Sequence, residues 1–206
     1  MAIEFQEFPK IPRYRREVAI SEKIDGTNAC VRWEPHDINV MNETALAITN
    51  LTDQHGVDLG PYELHAQSRS KFIVPGKNTD NYGFASWVKA NFESLRALGP
   101  GAHYGEWWGQ GIQRGYGLTE KRFSLFNVNR WGAERQPAPA CCHVVPLFGY
   151  YQPDQIASCV IDLQQNGSRA APGYMTPEGI IVWHSQSKQY YKILLENDDT
   201  PKSQSK

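Results

Sequence analysis

An excess of positive charge is missing from this sequence. Its 206 residues carry 21 lysines and arginines against 22 aspartates and glutamates, a formal net charge of −1. A global electrostatic footprint for polyanions is therefore absent, and any phosphate-binding surface has to be local. Lys10, Arg13, Arg15 and Arg16 form one candidate cluster, and Arg114, Lys121 and Arg122 another. No run approaches the roughly 18 apolar residues of a membrane span, and the opening MAIEFQEFPKIP lacks the apolar stretch of a signal peptide. No membrane partner is expected. Cysteine is scarce: Cys30, Cys141, Cys142 and Cys159 show no C-x-x-C spacing. That excludes a disulfide framework and points to unpaired thiols in the cytoplasm, where the sequons at Asn42, Asn50 and Asn166 stay unmodified. His103, His143 and His184 have no metal-like spacing, so zinc is not expected.

What is present is the composition of a folded domain, with 40% apolar and 21% charged residues. Short strands are expected at Glu17 to Ile20, Ala29 to Trp33, Ala45 to Leu51, Leu64 to Arg69, Ala102 to Trp108, Phe123 to Trp131 and His143 to Tyr150. Two more close the sequence, Gly179 to His184 and Gln189 to Leu195. Phe84, Val88, Phe92 and Leu95 recur at helical spacing, which predicts a helix over Asn81 to Leu98, capped by Asp80 and stopped by Gly99-Pro100. A shorter helix is predicted over Pro153 to Gln165. Many strands against few helices indicate an α+β domain built on antiparallel sheet. Residues 197–206 are polar and expected to fray.

Ser21-Glu22-Lys23-Ile24-Asp25-Gly26-Thr27-Asn28 is the most informative segment, a polar corner between two strands. A lysine attacks phosphorus only as the neutral amine, and at an ordinary pKa of about 10.4 few molecules are neutral at pH 7. A tight turn at a buried strand end can lower that barrier, and Gly26 lets the backbone approach a ligand. K-x-D-G alone is a weak motif. Its weight comes from an ordered set of residues downstream: Arg69 at a strand end, Glu106 between aromatics and glycines, Phe126 in an aromatic strand, Glu178 before Gly179, and Lys192 near the end. Each has a plain structural alternative, a core position for Phe126 and a solvated surface for Arg69 and the two carboxylates. Trp107 and Trp108 read as packing residues.

The ordered set, together with Phe8-Pro9-Lys10-Ile11-Pro12 and Gly109-Gln110-Gly111-Ile112-Gln113, resembles the RNA ligase 2 family of the covalent nucleotidyltransferases. The resemblance implies an α+β, ATP-grasp-like nucleotidyltransferase domain over residues 1–196, of mainly antiparallel sheets with flanking helices. It implies ATP as substrate, Mg²⁺ with Mn²⁺ as the alternative, and joining of 5′-phosphate to 3′-OH ends of RNA through lysyl-AMP. It also implies residue roles. Lys23 would be the nucleophile, Glu22 would border the adenine pocket, and Asp25, Gly26, Thr27 and Asn28 would shape the phosphate end. Arg69 would meet the nucleotide or the incoming 5′-phosphate, Glu106 the ribose hydroxyls, and Phe126 the adenine face. Glu178 would position the metal and Lys192 would contact the α-phosphate. Asn127 stands where many relatives have an acidic residue, and Ile193 and Leu194 follow Lys192 where a second lysine is common. No C-terminal nucleic-acid-binding domain is expected, which leaves open a minimal ligase, an isolated catalytic domain, or an enzyme relying on a protein partner for nucleic-acid binding. An adenylyl- or guanylyltransferase without sealing activity, and a non-catalytic nucleic-acid end-binding module, are the alternatives.

Overall fold

The computed structural model describes residues 3–132, 134–196 and 198. The expected fray of 197–206 therefore falls outside the described residues except at Asp198, whose Oδ1 accepts a hydrogen bond from Leu194 N at 2.9 Å. Along the chain, β1 (Val18–Lys23), β2 (Thr27–Pro35), β3 (Ala47–Thr52), β4 (Asp58–Ser68) and a two-residue β5 (Phe72–Ile73) lead into helices α1 (Phe84–Ala90) and α2 (Phe92–Leu95). Then come β6 (Gly101–Gly109), β7 (Lys121–Leu125), β8 (His143–Val144), β9 (Leu147–Tyr151), α3 (Ile156–Asn166), β10 (Gly179–His184) and β11 (Gln189–Leu194).

These strands form two sheets. The larger runs β3-β4-β2-β6-β7-β8 with β5 beside β4, and the smaller runs β11-β10-β1-β9. Among the described strand pairs only β7 with β8 is parallel, apart from an isolated parallel bridge between Trp131 and Gln136. Side chains alternate across a strand, so one face of each sheet is apolar. Ala29, Val31 and Trp33 of β2 share the larger core with Phe84, Val88 and Leu95 of the helices. In the smaller sheet Val18, Ile20, Ile180 and Val182 share a core with Cys159 and Leu163 of α3. A third cluster, containing Ile24, Trp108, Tyr116, Val145 and Ala171, brings together residues next to both sheets. All four cysteines are free thiols.

β1 belongs to one sheet and β2 to the other, so the turn Ile24 to Gly26 carries the chain across the seam. Lys23 is the last residue before that crossing. Gly26 is required there by space: a Cβ would stand 2.5 Å from the Trp107 carbonyl oxygen and 2.7 Å from Trp108 Cβ.

Several expected elements differ in the structure: β4 starts at Asp58, six residues before the strand expected from Leu64, and β1 runs on through Lys23 into the corner expected as a turn. The helix expected over residues 81–98 begins only at Phe84, because Asn81 and Tyr82 take positive φ values of 46° and 58°. Asp80 still serves its start, accepting Ser86 N at 2.9 Å and Phe84 N through its carbonyl at 2.8 Å. The helix then breaks at Asn91, whose side chain donates to Trp87 O at 2.8 Å, and ends in a 3₁₀ turn at Arg96–Leu98. The strand expected over residues 123–131 stops at Leu125, where Asn127 Oδ1 accepts Arg130 N and turns the chain. The strand expected over residues 143–150 divides at Val145-Pro146 into β8 of the larger sheet and β9 of the smaller. Proline cannot donate to a ladder, so the division falls where it stands.

Candidate active site

A cavity of about 650 Å³ opens between the sheets. Lys23, Glu22 and Ile24 enter it from β1 and its turn, Asn28 from β2, Glu106 from β6 and Phe126 from the end of β7. The register explains the meeting of distant residues: Asn28 pairs with Glu106, and Lys23 pairs with Gly179, the neighbour of Glu178. Lys23 Nζ lies 2.5 Å from Glu178 Oε2, and that carboxylate is buried while the amine keeps partial access to solvent. Gly179 fixes the approach of β10 to β11, because a Cβ there would stand 2.1 Å from Ile193 O.

Glu106 is the electrostatically unusual group. Burial lifts its carboxyl to about 7, the nearby Lys23 and the Gly26 N–H pull it down, and Glu178 and Asp25 push it up. Its Oε1 accepts Gly26 N at 3.1 Å. Glu22 is buried more completely, and burial raises its pKa too. Its oxygens are taken up by the chain itself: Ser168 Oγ donates at 2.6 Å, Arg169 N at 2.8 Å and Ala170 N at 2.9 Å. Glu22 therefore ties β1 to the segment after α3, and its carboxylate faces the protein.

Asp25 accepts Arg114 Nε at 3.1 Å, and its own N–H donates to Tyr116 Oη at 2.8 Å. Arg114 also donates to Thr176 O at 2.8 Å, so the glycine-rich connection of residues 109–117 clamps the turn after Lys23. Thr27 Oγ1 donates to Asn81 Oδ1 at 3.2 Å. Phe126 is half-buried, its N–H bonded to Tyr104 O at 3.0 Å, with the ring on the cavity wall.

Lys192 is exposed on β11, two residues from Tyr190, which lines the cavity, so alternation places both on that face. Arg69 is exposed just past β4 and does not line the cavity; the pairing of Ala29 with Ser68 sets it beside Asn28. Lys23, Glu22, Asn28, Glu106 and Phe126 are thus on one cavity, with Glu178 bonded to Lys23 and Gly26 to Glu106, while Asp25 is held apart by Arg114 and Tyr116. Trp107 and Trp108 are buried packing residues, as expected. The basic cluster of Arg114, Lys121 and Arg122 is occupied internally: Arg122 pairs with Glu120 at 2.6 Å and Lys121 Nζ donates to Tyr82 O at 2.6 Å.

Sequence reasoning missed Tyr116, Ser168, Trp183 and Tyr190. Trp183 and Tyr190 pack as a tilted pair, 4.4 Å between centroids, on the wall carried by β10 and β11. Alternation from Ile181 would have marked Trp183. Ser168 gave no local signal, since it lies 146 residues from Glu22.

The RNA ligase family model matches residues 16–193, most of the chain and every residue of this constellation. The chain belongs to the RNA ligase family. Solved structures of a Naegleria gruberi RNA ligase share the family fold at low identity. A variant solved with ATP and Mn is 16% identical with a TM-score of 0.55, covering 92% of this chain and 53% of that one. A variant with AMP and Mn is 14% identical with a TM-score of 0.52, covering 88% and 50%. The enzyme with PPi is 16% identical with a TM-score of 0.52, also covering 88% and 50%. The chain spans about half the length of these ligases. No curated protein sequence matches it. The α+β class and mainly antiparallel sheets expected from the sequence are those of this family's fold.

Proposed function

We propose that this protein is an ATP-dependent RNA ligase working through lysyl-AMP on Lys23. The observation that carries the reading is the meeting of Lys23 Nζ with Glu178 Oε2 at 2.5 Å beside a cavity that also holds Glu106 and Phe126. The Lys23 amine attacks the α-phosphorus of ATP, a P–N bond forms, and pyrophosphate leaves. A 5′-phosphate oxygen then attacks the same phosphorus and frees the lysine. Attack by a 3′-OH on the activated 5′-phosphorus joins the strands and releases AMP.

The chain's own groups suit these steps. Glu178 holds the Lys23 side chain and is in hydrogen-bond reach to accept its proton. Lys192, on the cavity-side face of β11, and Arg69, just past β4 beside Asn28, are the cations offered to phosphate charge as it accumulates. Glu106 has one acceptor position engaged by Gly26 and others open toward ribose hydroxyls. Phe126 offers a stacking face for adenine. Glu22, Asp25, Gly26, Thr27 and Asn28 hold the shape of the corner.

No group of three or more metal-ligating side chains is found among the described residues. That suits Mg²⁺ or Mn²⁺ held by one or two carboxylates together with substrate phosphates. Glu178 is the carboxylate that would hold it. When bound, the cation supplies charge neutralisation at the phosphates. The neighbouring ligases solved with ATP or AMP and Mn support this choice of substrate and metal.

Incubation with α-labelled ATP and Mg²⁺ tests the reading. Intact protein becomes labelled, Lys23→Ala does not, and the labelled form seals a nicked RNA. Equal labelling of Lys23→Ala would sink the proposal.

A further inference from the structure

The cavity floor does not end at the nucleotide. Residues paired directly across neighbouring strands share a face. Phe72 pairs with Gln67, Gln67 with Cys30, and Cys30 with Tyr104, while Phe126 donates its N–H to Tyr104 O. One row therefore runs from Phe126 and Tyr104 in the cavity to Phe72 at the outer edge of the sheet. The opposite face is the core, since Ala66 and Ile73 are buried in it. The His65 and Phe72 rings lie 5.1 Å apart, which places Phe72 on the cavity side.

Three features mark this face as built to receive something. Tyr104 and Phe72 are 45% and 44% exposed. Gln67 Oε1, between them, is a buried acceptor without a hydrogen-bond partner among the described residues. Arg69 and Lys71 are exposed on the turn joining β4 to β5, where Ser68 N donates to Lys71 O at 2.8 Å. At about 4.8 Å between strands, Phe72 stands roughly 14 Å from Tyr104 along the sheet, a reach of two or three nucleotides.

We propose that this face is a base-stacking platform for a single-stranded end of the RNA substrate. Bases rest on Tyr104 and Phe72, phosphates on Arg69 and Lys71, and the Gln67 amide, on turning outward, exchanges its unpaired buried state for a hydrogen bond from a base amino group. The assignment rests on the ligase reading and extends it from the reacting atoms to the strand that presents them. The platform tolerates varied sequence, because every base has a face to stack and only one amide is on offer.

Phe72 lies outside the nucleotide cavity, so its variants separate RNA binding from lysine labelling. The test is fluorescence anisotropy of a short labelled single-stranded oligoribonucleotide, with α-labelled ATP as the second readout. Phe72→Ala is expected to weaken RNA binding roughly 5- to 150-fold, the span of one lost base stack. Phe72→Trp is expected to hold or tighten it, and both variants to label as the parent does. The platform is overturned if Phe72→Ala binds RNA like the parent, or if Phe72→Trp binds as weakly as Phe72→Ala. Should Phe72→Ala lose labelling as well, the Trp variant decides by the same criterion. A parent that binds RNA through Phe72 but takes no label would remove the ligase reading and leave the platform standing.

Discussion

Two carboxylates near one cavity, Glu22 buried and Glu106 half-buried, behave in opposite ways. Glu22, at the end of β1, is enclosed by protein donors from Ser168, Arg169 and Ala170, whereas Glu106, in the middle of β6, receives one backbone N–H from Gly26. Burial raises the pKa of both. The difference is in what compensates it. Glu22 has its partners in the fold and works as an anchor. Glu106 is under-supplied with donors, which disfavours its charge and leaves acceptor positions for a ligand. A catalytic cleft can thus be located by where burial has not been repaired.

Breaking the anchor should give the largest effect. Glu22→Ala leaves the Ser168 hydroxyl and two N–H groups without an acceptor, and unmade buried hydrogen bonds are expensive. A loss of about 3–5 kcal/mol of stability is expected in urea denaturation. A loss below about 1 kcal/mol would erase the contrast.

Glu106 should show the reverse sign. Its folded pKa of about 7 lies above the ordinary 4.5, so between those values the folded state holds a proton that the unfolded chain has released. Stability therefore falls as pH rises from about 4.5 through 7. Glu106→Gln removes the charged form, flattens that slope, and is expected to gain up to about 3 kcal/mol at pH 8. Its ATP labelling should fall in the same samples. Urea melts of parent and variant across pH 4.5 to 8 measure the slope, and α-labelled ATP the loss of labelling.

Gly26→Ala sharpens the comparison from the donor's side. The added methyl collides with the Trp107 carbonyl, displaces the N–H that Glu106 accepts, and is expected to cost about 2 kcal/mol. Labelling at Lys23 should drop at least tenfold. Tyr116→Phe removes the acceptor for Asp25 N and is expected to cost about 1 kcal/mol, read from thermal melts.

Much of this architecture is legible in the sequence, for local reasons. The ends of β10, Gly179 and His184, are visible because an apolar run is bounded there by glycine and a polar turn. The corner at Lys23 is legible because its turn residues punctuate two apolar strands. The break at Asn91 is not, since the spacing of Phe84, Val88, Phe92 and Leu95 carries on through it. Nor is the passage of one segment from the larger sheet to the smaller at Val145-Pro146, although Pro146 is the available sign. In the site, Lys23, Glu106 and Glu178 stand out by residue type and order. The clamp of Arg114 and Tyr116 on Asp25, and the anchor at Ser168, depend on contacts between distant segments that leave no pattern in either one.

Gly179 reaches further than its size. Because no side chain fits between its Cα and the Ile193 carbonyl, any replacement would prise the strand bearing Lys192 from the one that begins beside Glu178. A saturation scan of that position would score it as a reaction residue although it has no side chain to offer substrate. For sequence design, Glu178 and Gly179 are one unit: grafting the carboxylate without its glycine transfers the chemistry and discards the geometry.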